Sequence, residues 1–325
     1  MLTVINNQKA VAGQLFIQEN VPLADKNYFK TGGNAQFYTE PTTNDSFAQA
    51  LHFAKSNNLE VFVLGTGANI LISDQGFQGL VIKPTLKDIT LTDINTTHAA
   101  LKAGAGLTID ELIHYCFDHQ ILGLEEFSGI PSTVGGAVYI NLHYYEFLLE
   151  QFLVQATLIN KKTLEIITVD TNWFQFGYDQ SKLQEKEFFV LDATFKLKKA
   201  TNNLEIAHAQ GRYQEIIRHR HRRFPYKNTC GSFFRNFHPH EVINTDKQLI
   251  FIAYYLDQLG VKGSLSVGGA TVSHQHANMI VTNDTATSDD IVHLTKLMQS
   301  MVLKKYNIKP QPECQLIGFD ISPFI

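Results

Sequence analysis

Cysteine is scarce in this chain of 325 residues, which holds three: Cys116, Cys230 and Cys314. An odd count without C-x-x-C spacing argues against a disulfide framework and against a zinc site, so reduced thiols and no bound metal are expected. Long apolar runs are also missing. The longest, such as LIFIAYYL, fall well short of a membrane span, and the opening MLTVINNQKAVAGQ lacks the basic-then-apolar order of an export signal. A cytoplasmic protein without membrane partners is the expectation. There is no surplus of positive charge either: a net charge of -4 and a pI near 6.3 exclude a general attraction for nucleic acid. Any anion site must therefore be local. No GK[ST] follows a glycine loop, which excludes a P-loop, and no internal repeat or low-complexity tract is evident.

The chain does carry an ordinary globular composition, 44% hydrophobic and 18% charged, at a length that predicts more than one core. FAQALHFAKSN predicts a helix with Phe47, Ala50, Leu51 and Ala54 on one face, after the capping candidates Asn44, Asp45 and Ser46. VFVLG, ILIS and LVIKP predict strands that complete a β-α-β unit. In GAGLTIDELIHYCFDH, Thr108 and Glu111 form a capping-box pattern ahead of an apolar stripe of Ile109, Leu112, Ile113 and Cys116. VQATLIN, LEIITVD and FFVLDATFKL alternate as antiparallel strands do. Beyond the polar stretch that starts at Lys198, a helix near Tyr213–Arg218, a basic run, a final helix over Ser288–Lys305 and a closing strand in ECQLIGFD are predicted. The fold class is α+β.

Three glycine nodes stand out: GTGAN (Gly65–Asn69), GAG (Gly104–Gly106) and GIPSTVGGA (Gly129–Ala137). Backbone that approaches a pyrophosphate and turns N–H groups toward it needs residues without side chains. Three nodes in one part of the chain fit a dinucleotide. GTGAN is not a Rossmann start, because Ile70 stands at the third glycine and a strand-like ILIS follows where a helix should begin.

In order, LGTGANIL, GLEEFSGIPSTVGGAVYIN, FGY, CGSFFRN and PECQLIG resemble the MurB family of UDP-N-acetylenolpyruvoylglucosamine reductases. The likeness runs from FKTGG at Phe29 to the C-terminus, in the shorter form that lacks an inserted tyrosine loop. It implies an FAD-binding domain of the vanillyl-alcohol-oxidase (PCMH) type in two α+β lobes, residues 1–85 and 86–200, and a UDP-sugar-binding α+β domain over residues 201–325. It implies that NADPH reduces FAD and that the flavin then reduces the enolpyruvyl double bond of a UDP-sugar. The implied flavin contacts are Gly65, Thr66, Gly67, Ala68, Asn69, Ile70, Gly129, Ile130, Pro131, Gly135, Gly136, Ala137 and Asn141. Ser232 matches the family's proton donor, and Glu313 its second catalytic acid, which burial near a pocket would keep partly neutral. Tyr178, Arg222, Arg223, Arg235, Asn236 and His276 fall at substrate positions. In RHRHRRF, four arginines before the SFF segment suit a pyrophosphate that arginine grips with two N–H groups. A monomer is expected. A flavoprotein of the same fold with another substrate, and a weakly catalytic binder of FAD or nucleotide-sugar, are the alternatives.

Two departures from the family pattern bear on the chemistry. After VYIN the bulky LHYYE replaces small residues, which predicts a reshaped loop near the flavin. Asp179 stands where the family carries an arginine that offsets developing negative charge. Losing a cation at roughly 4 Å forfeits about 4 kcal/mol at an effective dielectric near 20. Either Asp179 turns away, or another cation serves, with Arg212, Lys227 and Arg235 as candidates.

Overall fold

The computed structural model describes residues 15–324. Strands β1 (Gln18–Pro22) and β2 (Asn34–Thr39) lead into helix α1 (Asn44–Ser56). Its cap is Thr43, one residue ahead of the candidates named from the sequence: the Thr43 hydroxyl accepts from the Ser46 N–H and Ser46 returns the bond. That reciprocal pair starts the helix and turns Phe47, Ala50, Leu51 and Ala54 inward, the face that the spacing predicts. Next come β3 (Glu60–Val63), β4 (Ile70–Ile72) and β5 (Phe77–Ile82). β3 and β5 are parallel neighbours, with Glu60 opposite Gly79 and Val63 opposite Ile82. The ILIS strand does not join them.

β6 (Ile89–Asp93) and β7 (His98–Gly104) precede α2 (Ile109–Asp118). The Thr108–Glu111 box forms as predicted, and Ile109, Leu112, Ile113 and Cys116 are buried. After the short β8 (Ile121–Leu122), the glycine segment read as a loop becomes helical in its second half, α3 (Val134–Ile140), because the Thr133 hydroxyl caps the Gly136 N–H. LHYYE forms a hairpin of β9 (His143–Tyr144) and β10 (Phe147–Leu148), turning through Tyr145 at φ +52°. β11 (Leu153–Asn160), β12 (Ile166–Asp170) and β13 (Phe188–Lys199) are the three alternating segments, paired antiparallel. Helix α4 (Asn203–Arg223) is longer than predicted and takes up the basic run, whose charges suit the negative end of its dipole. Short α5 (Pro239–Val242) and α6 (Ile252–Gln258) come before the antiparallel β14 (Ser266–Val267), β15 (Ala270–Val272) and β16 (Ile280–Thr282). Helix α7 (Ser288–Tyr306) and β17 (Gln315–Ile317) close the chain.

The described residues divide into two compact units. The first comprises 15–19, Phe37–Thr66 and Gly79–His219. Its largest sheet runs β12-β11-β13-β7-β6, with β8 beside β13, and its core gathers α1, α2 and α3 around side chains such as Phe47, Leu112, Phe127 and Phe195. The GAG node is explained here by packing. A Cβ on Gly104 or Gly106 would stand 2.4 Å from the Leu86 carbonyl oxygen or 2.3 Å from that of Pro84, so two backbones meet where no side chain fits.

The second unit comprises Asn20–Gln36, Gly67–Gln78 and 220–324. Its core, with Phe29, Leu71, Phe233, Phe234 and Tyr255, packs under α7. Here β4 finds its partner: β17 lies parallel to it, Gln315 opposite Ile70 and Ile317 opposite Ile72. Around that pair Gly33, Gly76 and Gly318 crowd together, with backbone atoms at distances that exclude a Cβ.

Candidate active site

In the first unit, the segments predicted to hold a cofactor come together. The Thr66 hydroxyl donates to the Pro131 carbonyl at 2.7 Å, and a Cβ on Gly65 would lie 3.1 Å from the Thr133 hydroxyl. Gly129 turns at φ +70°, and the Ile130 N–H donates back to Phe127. Gly135 and Ala137 are held by N–H bonds to the Ala105 and Thr133 carbonyls. α3 ends at Asn141 in the left-handed conformation, φ +51°, with its side chain nearly sealed from solvent. The Asn141 amide donates to the Gly177 carbonyl at 3.3 Å while its oxygen accepts from the Glu150 N–H at 3.1 Å.

That bond anchors the FGYDQS turn. Gly177 and Gln180 pair across it, Tyr178 and Asp179 form its tip, and Asp179 sits at φ +54°. Ser181 donates from its hydroxyl to the Tyr139 carbonyl at 2.6 Å, so the turn is fastened to α3 on both sides. The Asp179 carboxylate meets His143 Nδ1 at 3.2 Å, both side chains being about three-quarters buried. The Tyr178 ring lies against the same imidazole, centroids 4.7 Å apart. Both departures in the sequence thus meet in one contact.

In the second unit, Ser232 follows Gly231 at φ +88° and faces Met279 in a backbone bridge. Among the described residues its hydroxyl makes no hydrogen bond. The backbone behind it is braced by Asn278, which accepts from the Phe234 N–H at 3.1 Å and donates to the Phe234 carbonyl at 2.7 Å. Glu313 is brought beside this segment: its N–H donates to the Phe233 carbonyl at 2.9 Å, and its carboxylate accepts from the Asn69 amide at 3.5 Å. His276, packed edge-on to Phe224, has its basicity lowered to about 4 by burial, with the charges of Arg223 and Lys262 adding to the effect. It is therefore neutral at neutral pH, and its buried Nδ1 has no partner among the described residues.

The candidate replacement cations are already engaged. Arg212 forks onto Glu126 at 2.9 Å through both Nε and Nη2 and reaches Glu215 at 3.1 Å. Lys227 lies over the Tyr226 ring. Arg235 grips Glu241 at 2.7 and 2.9 Å, which holds that carboxyl down to about 2. Because the folded-state value lies below the unfolded 4.5, the stabilisation is complete above pH 4.5 and is lost as pH falls toward 2. The pair is a quarter exposed, so screening leaves about 1–2 kcal/mol of it. Glu241→Gln should therefore flatten the acid limb of a urea-unfolding series across that window. An unchanged limb would show that the pair contributes nothing.

The residues present fit a bound dinucleotide. Among the described residues, the N–H groups of Gly65, Thr66, Gly67, Ala68 and Asn69 donate to no protein acceptor, and the buried Asn69 side-chain oxygen is unmatched. A run of free donors beside glycine is what a phosphate-bearing ligand requires. Ile70, by contrast, is fixed in β4 with its side chain buried.

Residues 35–168 match the model of an FAD binding domain, and residues 223–317 that of the UDP-N-acetylenolpyruvoylglucosamine reductase C-terminal domain. A UDP-N-acetylenolpyruvoylglucosamine reductase of Staphylococcus carnosus is 30% identical over 316 residues, 97% of this chain and 96% of that protein. The chain belongs to the UDP-N-acetylenolpyruvoylglucosamine reductase family. A second member, from a Synechococcus species, is 32% identical over 311 residues, 95% of this chain and 94% of its own. The crystal structure titled UDP-N-acetylenolpyruvylglucosamine reductase (MurB) from Thermus caldophilus shares the α+β fold of this family at a TM-score of 0.75 and 24% identity, covering 93% of this chain and 99% of that one. Among the described residues, no helix of this reductase-family chain is long and apolar enough to cross a membrane. His143 belongs to the LHYYE departure but was not among the candidate site residues named from the sequence. The signal that could have found it was the substitution of LHYYE for small residues.

Proposed function

We propose that this protein is an NADPH-dependent, FAD-containing reductase that converts the enolpyruvyl group of UDP-N-acetylglucosamine-enolpyruvate to UDP-N-acetylmuramate, a cytoplasmic step in peptidoglycan precursor synthesis carried out by a monomer. The observation that carries this reading is the bonding of Glu313 beside the Ser232 segment, with the Ser232 hydroxyl left unpartnered among the described residues, in a chain of this family. Bound FAD supplies hydride transfer from NADPH to the enolpyruvyl double bond.

The chain's own residues do the rest. The Gly65–Asn69 amides, Ile70 and the segment holding Gly129, Ile130, Pro131, Gly135, Gly136, Ala137 and Asn141 position the cofactor, within residues 1–85 and 86–200. Residues 201–325 bind the UDP-sugar, where Arg222 and Arg223 take the pyrophosphate and Asn236, Arg235 and neutral His276 orient the sugar; Tyr178, outside that range, is a further substrate position. Negative charge that develops on the carbon beside the substrate carboxylate is quenched by the Ser232 proton. A serine is a weak acid in water, and a carbanion-like centre next to it is a strong enough base to take that proton. Glu313 supports the transfer as the second acid.

Purified protein loaded with FAD should oxidise NADPH only when the enolpyruvyl UDP-sugar is present. Flavin that NADPH reduces but that this sugar fails to reoxidise without oxygen would refute the assignment. A protein that takes up no FAD would refute it too.

A further inference from the structure

We infer that Asn278 is the positioning residue that fixes the direction of the Ser232 hydroxyl for proton transfer; this rests on the function proposed above. Every residue involved belongs to the second unit. The segment from Ser232 to Arg235 runs between two neighbours. On one edge the Arg235 N–H donates to the Gln311 carbonyl at 3.0 Å and the Glu313 N–H to the Phe233 carbonyl at 2.9 Å, around a bridge between Phe234 and Pro312. In an antiparallel pair of this kind the bonds come from the residues on either side of the bridge, so the N–H and carbonyl of Phe234 itself turn to the other edge.

On that other edge Ser232 bridges Met279, and the Phe233 N–H donates to the Asn278 carbonyl at 2.8 Å. The chain then reverses, with the Met279 N–H bonded back to the His276 carbonyl at 3.1 Å, and offers no further extended backbone to Phe234. Phe234 is 1% exposed, and an unmatched N–H or carbonyl there would cost roughly 1–3 kcal/mol. The Asn278 side chain takes the place of the missing rung: its oxygen accepts from the Phe234 N–H at 3.1 Å and its amide donates to the Phe234 carbonyl at 2.7 Å. A carboxamide can do this because, like a peptide group, it presents a donor and an acceptor side by side. Asn278 is buried as well, so water does not compete for the two bonds. Ahead of Ser232 the packing is open: Gly231 sits at φ +88°, and a Cβ on it would meet nothing within 4 Å. The direction of the Ser232 side chain is therefore set from the Phe233–Phe234 side, by the same backbone that fixes Glu313.

The test uses FAD-loaded enzyme reduced by NADPH and mixed with the enolpyruvyl UDP-sugar without oxygen. Asn278→Ala should slow flavin reoxidation about 100-fold, the loss expected when a reacting group shifts by about an ångström. Reduction by NADPH and calorimetric binding of the sugar should each stay within about threefold of wild type. Asn278→Ser, which returns one hydroxyl and leaves room for a water, should lose about tenfold, and it carries the measurement if the alanine variant does not fold. In a Ser232→Ala background, adding either change should slow reoxidation by no more than about threefold further, because the group that Asn278 aims is already gone. A role in stability alone would slow both half-reactions, or would cost as much again in the Ser232→Ala background. Either result would overturn the inference, as would single variants that reoxidise within about threefold of wild type. Wild-type enzyme that the sugar never reoxidises would instead sink the assigned reaction, and this inference with it.

Discussion

Ser232→Ala should remain yellow and be reduced by NADPH at the wild-type rate, yet its reoxidation by the enolpyruvyl UDP-sugar should fall by about 10³-fold. A positioned proton donor contributes roughly 10²–10⁴ to such a step, and about 10³ corresponds to ~4 kcal/mol of barrier. The variant is a clean one. The backbone at Ser232 is set by the bridge to Met279 and by Asn278, which binds both the N–H and the carbonyl of Phe234, so the loss of one hydroxyl should move nothing else. Phe233 and Phe234, next in the chain, are buried to within 1% of complete and anchor the segment in the core. Rapid mixing separates the two half-reactions. A Ser232→Ala enzyme that reoxidises at the wild-type rate would remove serine from the chemistry, whereas Ser232→Cys, which keeps an acidic proton, should recover part of the loss.

The second large effect concerns stability. Gly76→Ala should lower stability by about 3 kcal/mol or more, a drop in Tm of roughly 6–12 °C for a unit of this size. Gly76 has φ +78°, and a Cβ there would stand 2.0 Å from the Asn34 carbonyl oxygen, with the Asn34 nitrogen at 2.7 Å. Backbone cannot swing aside as a flexible side chain can, so the start of β2 or of β5 must shift. Gly211→Ala is the matching control. That glycine lies inside α4 with open space around it, and alanine should stabilise by about 0.5–1 kcal/mol through helix propensity. Thermal unfolding of the two variants beside wild type decides the matter. Equal midpoints would mean that the crowding at Gly76 relaxes without cost.

Much of this protein was legible in its sequence where the determining interactions are local. α2 was readable because its cap and its buried stripe lie within ten residues of chain, and the strands β11, β12 and β13 because alternation is a property of each strand alone. The glycine segments announced a close backbone approach for the same reason, and of the three only GTGAN leaves a run of N–H donors without protein acceptors among the described residues. GAG turned out to be a place where two backbones meet. What stayed hidden depends on pairing at a distance. Nothing in ILIS says that its partner is a strand near the other end of the chain, and a basic run gives no sign that it is the last turn of a 21-residue helix. Asp179 was visible as an anomaly, but its partner His143 lies in a different element, and only the fastening of the turn to the end of α3 brings them together. The cations offered in its place failed for a related reason, since the carboxylates that occupy Arg212 and Arg235 are not evident from composition.

The parallel pairing of β4 with β17 has a consequence for how this chain is made. Ile70 leaves the ribosome 245 residues before Gln315, its partner in the ladder. At about 5–20 residues per second, the ILIS segment waits roughly 10–50 s for that strand to be synthesised. Throughout that interval Leu71, fully buried in the finished fold, has no core to enter. The first unit, whose last residue is His219, can assemble in the meantime. The second is built from three separated stretches of chain and is the last to close, because it cannot be completed until β17 has been synthesised.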